Sequence, residues 1–307
     1  MYSHATSVMG HSLKYFSRYL SGALLIALLS WSCGPALEAA EPGQVGQTNS
    51  ALKKQQSGNS KTVTSRVQPV SNETAGVANS KLADMLKQLQ KCQDAVNNLQ
   101  DYTATFYKVE MVNNTGKVVQ RMQLRHRPEP FSVHVQFLEG SPQADQVIYR
   151  QGWNQNQMRV KIAGAISFIK PTIDLNPQDP QALQNSRYPI TKIGLKGMLD
   201  GVVDMWKQDL KYPDLEVQFY KNAKLNSNSQ DTYYAFKTRH PRERDILRFQ
   251  ETTLWIDKQT LLPVQLVNRA FNPNGGEPIL IEMYNYSNLQ TNVGLQDADF
   301  DPGRYGW

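Results

Sequence analysis

The sequence predicts an α+β fold: a strongly curved antiparallel sheet, or unclosed β-barrel, of about ten strands, with an N-terminal helix and an inserted helix packed on its open face. Three observations predict it. Short segments alternate with period 2, as where Phe131, Val133, Val135 and Phe137 face one way while Ser132, His134 and Gln136 face the other. The connections between these segments are too short for crossover helices, so neighbours pair antiparallel. Two further segments carry apolar residues at helical spacing instead.

In chain order, Ser80 offers an N-cap, and Leu82, Met85, Leu86, Leu89, Cys92, Val96 and Leu99 form one stripe at three- and four-residue spacing. Strands follow over Tyr102 to Val112 and Lys117 to His126, joined by the turn-forming Asn113-Asn114-Thr115-Gly116. Phe131 to Leu138, Gln146 to Gln151 and Met158 to Ile162 continue the meander. Gly164 to Pro189 is irregular and rich in Pro, Gln and Asp. From Ile193 to Leu210 the residues Leu195, Met198, Leu199, Val202, Val203, Met205, Trp206 and Leu210 repeat at helical spacing until Pro213 closes the helix. A helix this apolar needs a partner surface, and the open face of a curved sheet supplies one. Strands resume over Leu215 to Tyr220, Thr232 to Arg239, Ile246 to Asp257, Pro263 to Phe271 and Ile279 to Tyr286.

Composition partitions the 307 residues into a signal peptide over 1–32, a disordered polar linker over 33–80 and a single domain over 81–307. His11, Lys14 and Arg18 precede the apolar run from Leu20 to Leu29, and small residues follow, which is the layout of an export signal. The run is short for a membrane span, which needs ~20 apolar residues. Cys33 stands where a bacterial lipoprotein carries its acylated cysteine, which would tie the chain to a membrane. Ordinary signal-peptidase cleavage near Ser30, Ser32, Gly34 and Ala36 is the alternative. Glu41 to Ser80 is rich in Gln, Ser, Asn, Thr and Gly and cannot bury enough surface to offset its ordering entropy. Localisation is therefore expected in the periplasm or cell envelope. With Cys33 and Cys92 the only cysteines, no disulfide framework supports the core, and Cys92 reads as a buried small apolar residue in register with Leu89 and Val96.

The formal net charge is +6, but six Lys/Arg against three Glu lie before residue 81, so the folded part is close to +3. That mild bias, without a basic stripe or a reading module, argues against nucleic acid. His126, His134 and His240 stand in no metal-binding spacing, and no nucleophile elbow, phosphate loop or dinucleotide fingerprint occurs, so no catalytic residue, metal or cofactor is assigned. The alternating Asp297, Asp299 and Asp301 lack the glycine and terminal glutamate of a calcium loop and read as a solvated turn.

Two groups of residues are candidates for binding. Phe106, Met122, Phe137, Met158, Met205, Trp206, Phe236 and Phe249 supply an adaptable apolar lining for a hydrophobic ligand; ordinary core packing uses the same residues. Arg125 and Arg127 at one strand end, and Arg239, Arg242 and Arg244 at another, place guanidinium forks where head groups or a partner could be held; charge protection of strand edges is the plainer reading.

The element order, together with Leu254-Trp255-Ile256-Asp257-Lys258-Gln259-Thr260-Leu261-Leu262-Pro263, resembles the periplasmic lipoprotein-carrier fold, in which an unclosed barrel plugged by helices accommodates acyl chains. Asp101-Tyr102-Thr103, Arg127-Pro128, Pro130-Phe131-Ser132-Val133, Ile148-Tyr149 and above all Asn185-Ser186-Arg187-Tyr188-Pro189-Ile190-Thr191 resemble an exported bacterial family known as domain-of-unknown-function family 1571. That resemblance spans most of residues 81–307 and implies no activity; Arg187 and Tyr188 enter as further head-group or partner contacts through the motif. Noncatalytic binding or transport of a lipid or a lipoprotein acyl chain is the leading expectation. An envelope protein-interaction or structural module with a filled core is the alternative.

Overall fold

The computed structural model describes residues 72–113, 115–244 and 247–307; the export signal, Cys33 and the linker up to residue 71 lie outside the described residues. Helix α1 spans Asn72–Asn97 and buries Leu82, Met85, Leu89, Cys92 and Val96, the stripe expected from their spacing. It begins earlier than expected, so Ser80 is an interior residue and not the cap. Once the packed stripe has nucleated the helix, each additional upstream turn costs little, and no proline intervenes over 72–80 to stop it. Cys92 is 3% exposed, and burial pushes its thiol up to about 11, which leaves it unreactive.

Eleven strands follow: β1 Tyr102–Val112, β2 Gly116–Arg127, β3 Ser132–Glu139, β4 Ala144–Arg150, β5 Met158–Ile162, β6 Thr172–Leu175, β7 Glu216–Ala223, β8 Tyr233–Arg239, β9 Glu251–Ile256, β10 Pro263–Ala270 and β11 Ile279–Thr291. They form one antiparallel sheet in the order β6-β5-β4-β3-β2-β1-β11-β10-β9-β8-β7. Two meanders are thus joined where the first strand of one pairs with the last strand of the other, and the edges β6 and β7 do not meet. The α+β class and the unclosed sheet are those expected. Strand β6 was not, because Thr172-Ile173-Asp174-Leu175 is too short and too flanked by proline to show a period; its pairing with β5 makes it a strand. The expected strand from Ile246 shrinks to Glu251–Ile256. Strand β11 runs past Tyr286, through Asn288 in a left-handed conformation, because it pairs with β1 as far as Tyr102.

Between β6 and β7 the chain leaves the sheet, crosses its concave face and returns as helix α2, Leu195–Asp209. Leu195, Met198, Leu199, Val202, Val203 and Trp206 are buried on the apolar stripe, with α1 packed against α2 and reaching β7. The Trp206 indole donates to the Thr238 hydroxyl at 2.9 Å, which satisfies its buried polar atom.

The outer face is not uniformly wet. Ser132 and His134, on the polar side of the β3 alternation, are fully buried because the C-terminal segment folds back over β3 and β4. The His134 ring lies 4.2 Å from the Tyr305 ring centroid and bonds Gln146 at 2.8 Å. That segment is fastened by Asp101, whose carboxylate accepts from the amides of Val293 (2.7 Å), Gly294 (3.1 Å) and Leu295 (2.9 Å). Asp297 pairs with Arg127 and Arg150, Asp299 accepts from the Gln296 amide, and Asp301 from the Gly303 amide, so the aspartate run is turn structure.

Candidate functional site

A cavity of about 820 Å³ lies between the concave face and the returning chain. Its size falls within the ~300–1,000 Å³ usual for small-molecule sites. The wall is built by the inward residues of β1 to β6, notably Phe106, Met122, Val135, Met158, Ile162 and Ile173. Met198, Val202 and Met205 of α2 close it from above, and Phe249 and Leu266 face it from the far half of the sheet. Of the eight expected lining residues, Phe106, Met122, Phe137, Met158, Met205 and Phe249 border this space. Trp206 and Phe236 do not. Trp206 points into the interface with β8, and Phe236 packs on Phe219, so both belong to the solid core.

Residues 185–194 cross the cavity as a strap fixed at both ends, and the Asn185-to-Thr191 motif supplies its first anchor. Lys108 and Glu110 break the apolar alternation of β1 on the inward side, at 7% and 1% exposure. Register sets Glu110 opposite Glu282 of β11, which in turn sits opposite Asn268 of β10. Arg187 Nε donates to Glu282 at 2.8 Å, its Nη1 to the Met111 carbonyl at 3.0 Å, and its amide to Glu110 at 3.0 Å. Tyr188 donates to Glu282, as does Asn268 at 2.8 Å, and Tyr284 donates to Glu110. Lys108 Nζ reaches Glu110 at 3.1 Å, the Asn185 carbonyl and the Ser186 hydroxyl. Two cations therefore meet two buried carboxylates, each carboxylate oxygen accepts at least one hydrogen bond, and the Asn268 side-chain oxygen beside them is buried without a partner. Burial raises the Glu282 carboxyl above its ordinary range and lowers the Lys108 ammonium, each tempered by its partners. Burial likewise pushes Tyr188 up to about 12.

The second anchor lies at the opposite end of β1. Tyr286 accepts from the Gly194 amide at 3.1 Å and Tyr102 from the Leu195 amide at 2.9 Å, so two phenol oxygens satisfy amides at the start of α2. Gly194 has φ +115°, and a Cβ there would stand 2.7 Å from His126 Nε2 and 2.8 Å from the Tyr102 hydroxyl. Gly194→Ala is expected to cost about 2 kcal/mol of stability through backbone strain and overpacking. Urea unfolding checks it, and a midpoint equal to wild type would show the strap to be loosely held here. His126 borders the cavity at 3% exposure, stacked on Tyr102 and edge-on to Phe131, with neither ring nitrogen hydrogen-bonded. Burial in these apolar surroundings lowers it to about 4.

The five arginines at the two strand ends lie away from the cavity. Arg125 points outward to His134 Nδ1 at 3.3 Å and stacks over Tyr305, while Arg127 bonds Ser132 and Asp297. Arg242 and Arg244 both clasp Asp214, at 2.8 and 2.6 Å, and Arg239 is half-buried across the ladder from Glu216 and Glu251. None of these five borders the cavity, and Arg187 is taken up by Glu282. Exposed cations at the cavity border are Lys192, Lys196 and Arg248, of which Arg248 is close enough to act on the Tyr188 hydroxyl. Sequence reasoning missed the polar pole of Lys108, Glu110, Asn268, Glu282 and Tyr284. The signal available was Phe106-x-Lys108-x-Glu110, charge at core parity in an apolar strand. Among the described residues no three potential ligands gather for a metal, and no helix is long and apolar enough to cross a membrane.

No curated protein matches the sequence. Among solved structures the chain is similar to an uncharacterized conserved protein from Thermus thermophilus, at 10% identity, TM-score 0.38, 69% of this chain and 92% of the other. It is similar to a LolA superfamily protein from Nitrosomonas europaea at 13% identity, TM-score 0.28, 73% of this chain and 97% of the other. It is similar also to the lipoprotein LppX of Mycobacterium tuberculosis at 11% identity, TM-score 0.39, 71% of this chain and 99% of the other. A family profile matches residues 99–305, from the turn before β1 to the C-terminal segment and across the whole strap, and the chain belongs to that family, described as Protein of unknown function (DUF1571).

Proposed function

We propose that this protein binds one lipid, or the acyl chain of a lipoprotein, without catalysis, inside the concave face of its sheet in the bacterial cell envelope. The observation that carries the reading is the cavity of about 820 Å³ with an aliphatic, aromatic and methionine wall beneath α2 and the strap. Closing the sheet or filling its interior would have buried more apolar surface, so a space of this size and lining is kept at a cost in stability. Chain ends would lie among Met122, Met158 and Ile173, with the polar head toward Arg248 and the Lys108–Glu110 pole. The export signal read in residues 1–32 supports the compartment, and Cys33 a membrane tether if it is acylated.

The test is native mass spectrometry of the full chain from the envelope fraction, followed by organic extraction. One bound lipid per protein is the expected result. Ile173→Trp, on the edge strand where a larger ring projects into the cavity without displacing the core, is expected to weaken lipid binding roughly tenfold or more while leaving the fold intact. A protein that stays lipid-free after incubation with envelope lipids would overturn the reading.

A further inference from the structure

The hairpin tip between β5 and β6 exposes three large apolar side chains that the cavity does not use. Phe168 is 91% exposed, Ile169 88% and Ile166 60%. The tip is an ordered turn: the Ser167 amide and hydroxyl both donate to the Gly164 carbonyl, at 3.1 and 2.7 Å, and the Lys170 amide donates to the Ile166 carbonyl at 3.0 Å. Its own backbone bonds thus hold the turn in shape while most of this apolar surface stays in water, at a hydrophobic penalty. The stems lead directly to the cavity, since Ile162 and Ile173, at the two feet of the hairpin, both border it.

We infer that this tip inserts into the surface of a phospholipid bilayer and sets the cavity against the membrane. Its shape selects the partner. Three side chains on a convex turn offer far less than the roughly 800 Å² per partner of a stable protein interface. A bilayer needs no shaped complement and gains with every apolar group that enters the headgroup boundary. Charge agrees with this choice: Lys170 is exposed next to Ile169, and Lys161 flanks the other stem, held only loosely at 3.8 Å from Asp145, so both ammonium groups can meet anionic headgroups as the apolar side chains enter. The inference goes beyond the cavity reading and stands even if the cavity takes no ligand.

The test uses the full chain with vesicles of phosphatidylethanolamine and a minority of phosphatidylglycerol. I166S/F168S/I169S, altered only at exposed positions, is expected to keep its circular dichroism and bind at least about tenfold more weakly than wild type. An environment-sensitive fluorophore on Phe168→Cys in a Cys33→Ser background reads the tip itself, whatever the N-terminus contributes; Cys92 is buried and stays unlabelled. Blue-shifted emission on vesicles, quenched by lipids spin-labelled in the acyl chain, supports insertion. Equal vesicle binding by the triple variant overturns it. So does a label that remains water-like on vesicle-bound protein, or one shielded only by a protein partner.

Discussion

Lowering the pH from 7 to 5 is expected to remove about 4 kcal/mol of folding stability, through His126 and His134. Both rings are buried, and both are lowered to about 4, in each case chiefly by desolvation. For His126 the surroundings are the Tyr102 and Phe131 rings; for His134 the Gln146 bond and Asp299 oppose the shift, and Arg125 reinforces it. A base whose folded pKa is depressed gives stability that is complete above its unfolded value, near 6.5, and is lost as pH falls toward 4. At pH 5 each ring then contributes a loss of about 2 kcal/mol. Glu282 titrates with the opposite sign, because its raised carboxyl favours protonation in the folded state, so it offsets part of this loss. Denaturant titrations at pH 7, 6 and 5 give the slope, and His126→Gln with His134→Gln should flatten it. An identical slope in the double variant would mean that carboxylates, not these rings, carry the acid sensitivity.

Glu282→Ala is expected to destabilise the fold by about 3–5 kcal/mol, the usual cost of removing one partner from a buried ion pair. The carboxylate is 2% exposed and receives Arg187, Tyr188 and Asn268 together. Without it, Arg187 loses its counter-ion, the Asn268 amide is left buried and unpaired, and the strap loses its first anchor while Gly194 still holds the second. Urea unfolding measures the global loss. Limited proteolysis, with new cuts between residues 176 and 193, reports the local one. A loss below about 1 kcal/mol with an uncut strap would show that Lys108 and Glu110 hold it by themselves.

What could be read in the sequence follows the range of the interactions that produce it. Period-2 alternation along β1 to β3, the turn at Asn113-Asn114-Thr115-Gly116 and the helical stripe of α2 are local signals, so the sheet, its antiparallel sense and the inserted helix were all legible. The cavity wall was partly legible for the same reason: Phe106, Met122, Phe137 and Met158 occupy inward positions of their strands. Inward parity cannot separate a wall from a core, however. Phe236 has the correct parity and packs solidly, since what lies opposite it is decided by β7, on the far edge of the sheet.

The sequence alone determined the class of the fold, the position of the curved sheet and its two helices, and the family motif from Asn185 to Thr191. What that motif holds together is set by contacts between distant strands. Glu110, Arg187 and Glu282 are separated by 77 and 95 residues, and their meeting depends on β1 pairing with β11 in one register. A pairing slipped by one residue would turn Glu110 outward and leave the strap nothing to hold. The arginines at the strand ends show the same dependence, Arg127 pairing with Asp297 and Arg242 and Arg244 with Asp214: a charge marks a strand end in sequence, but which carboxylate it meets depends on which distant loop folds beside it.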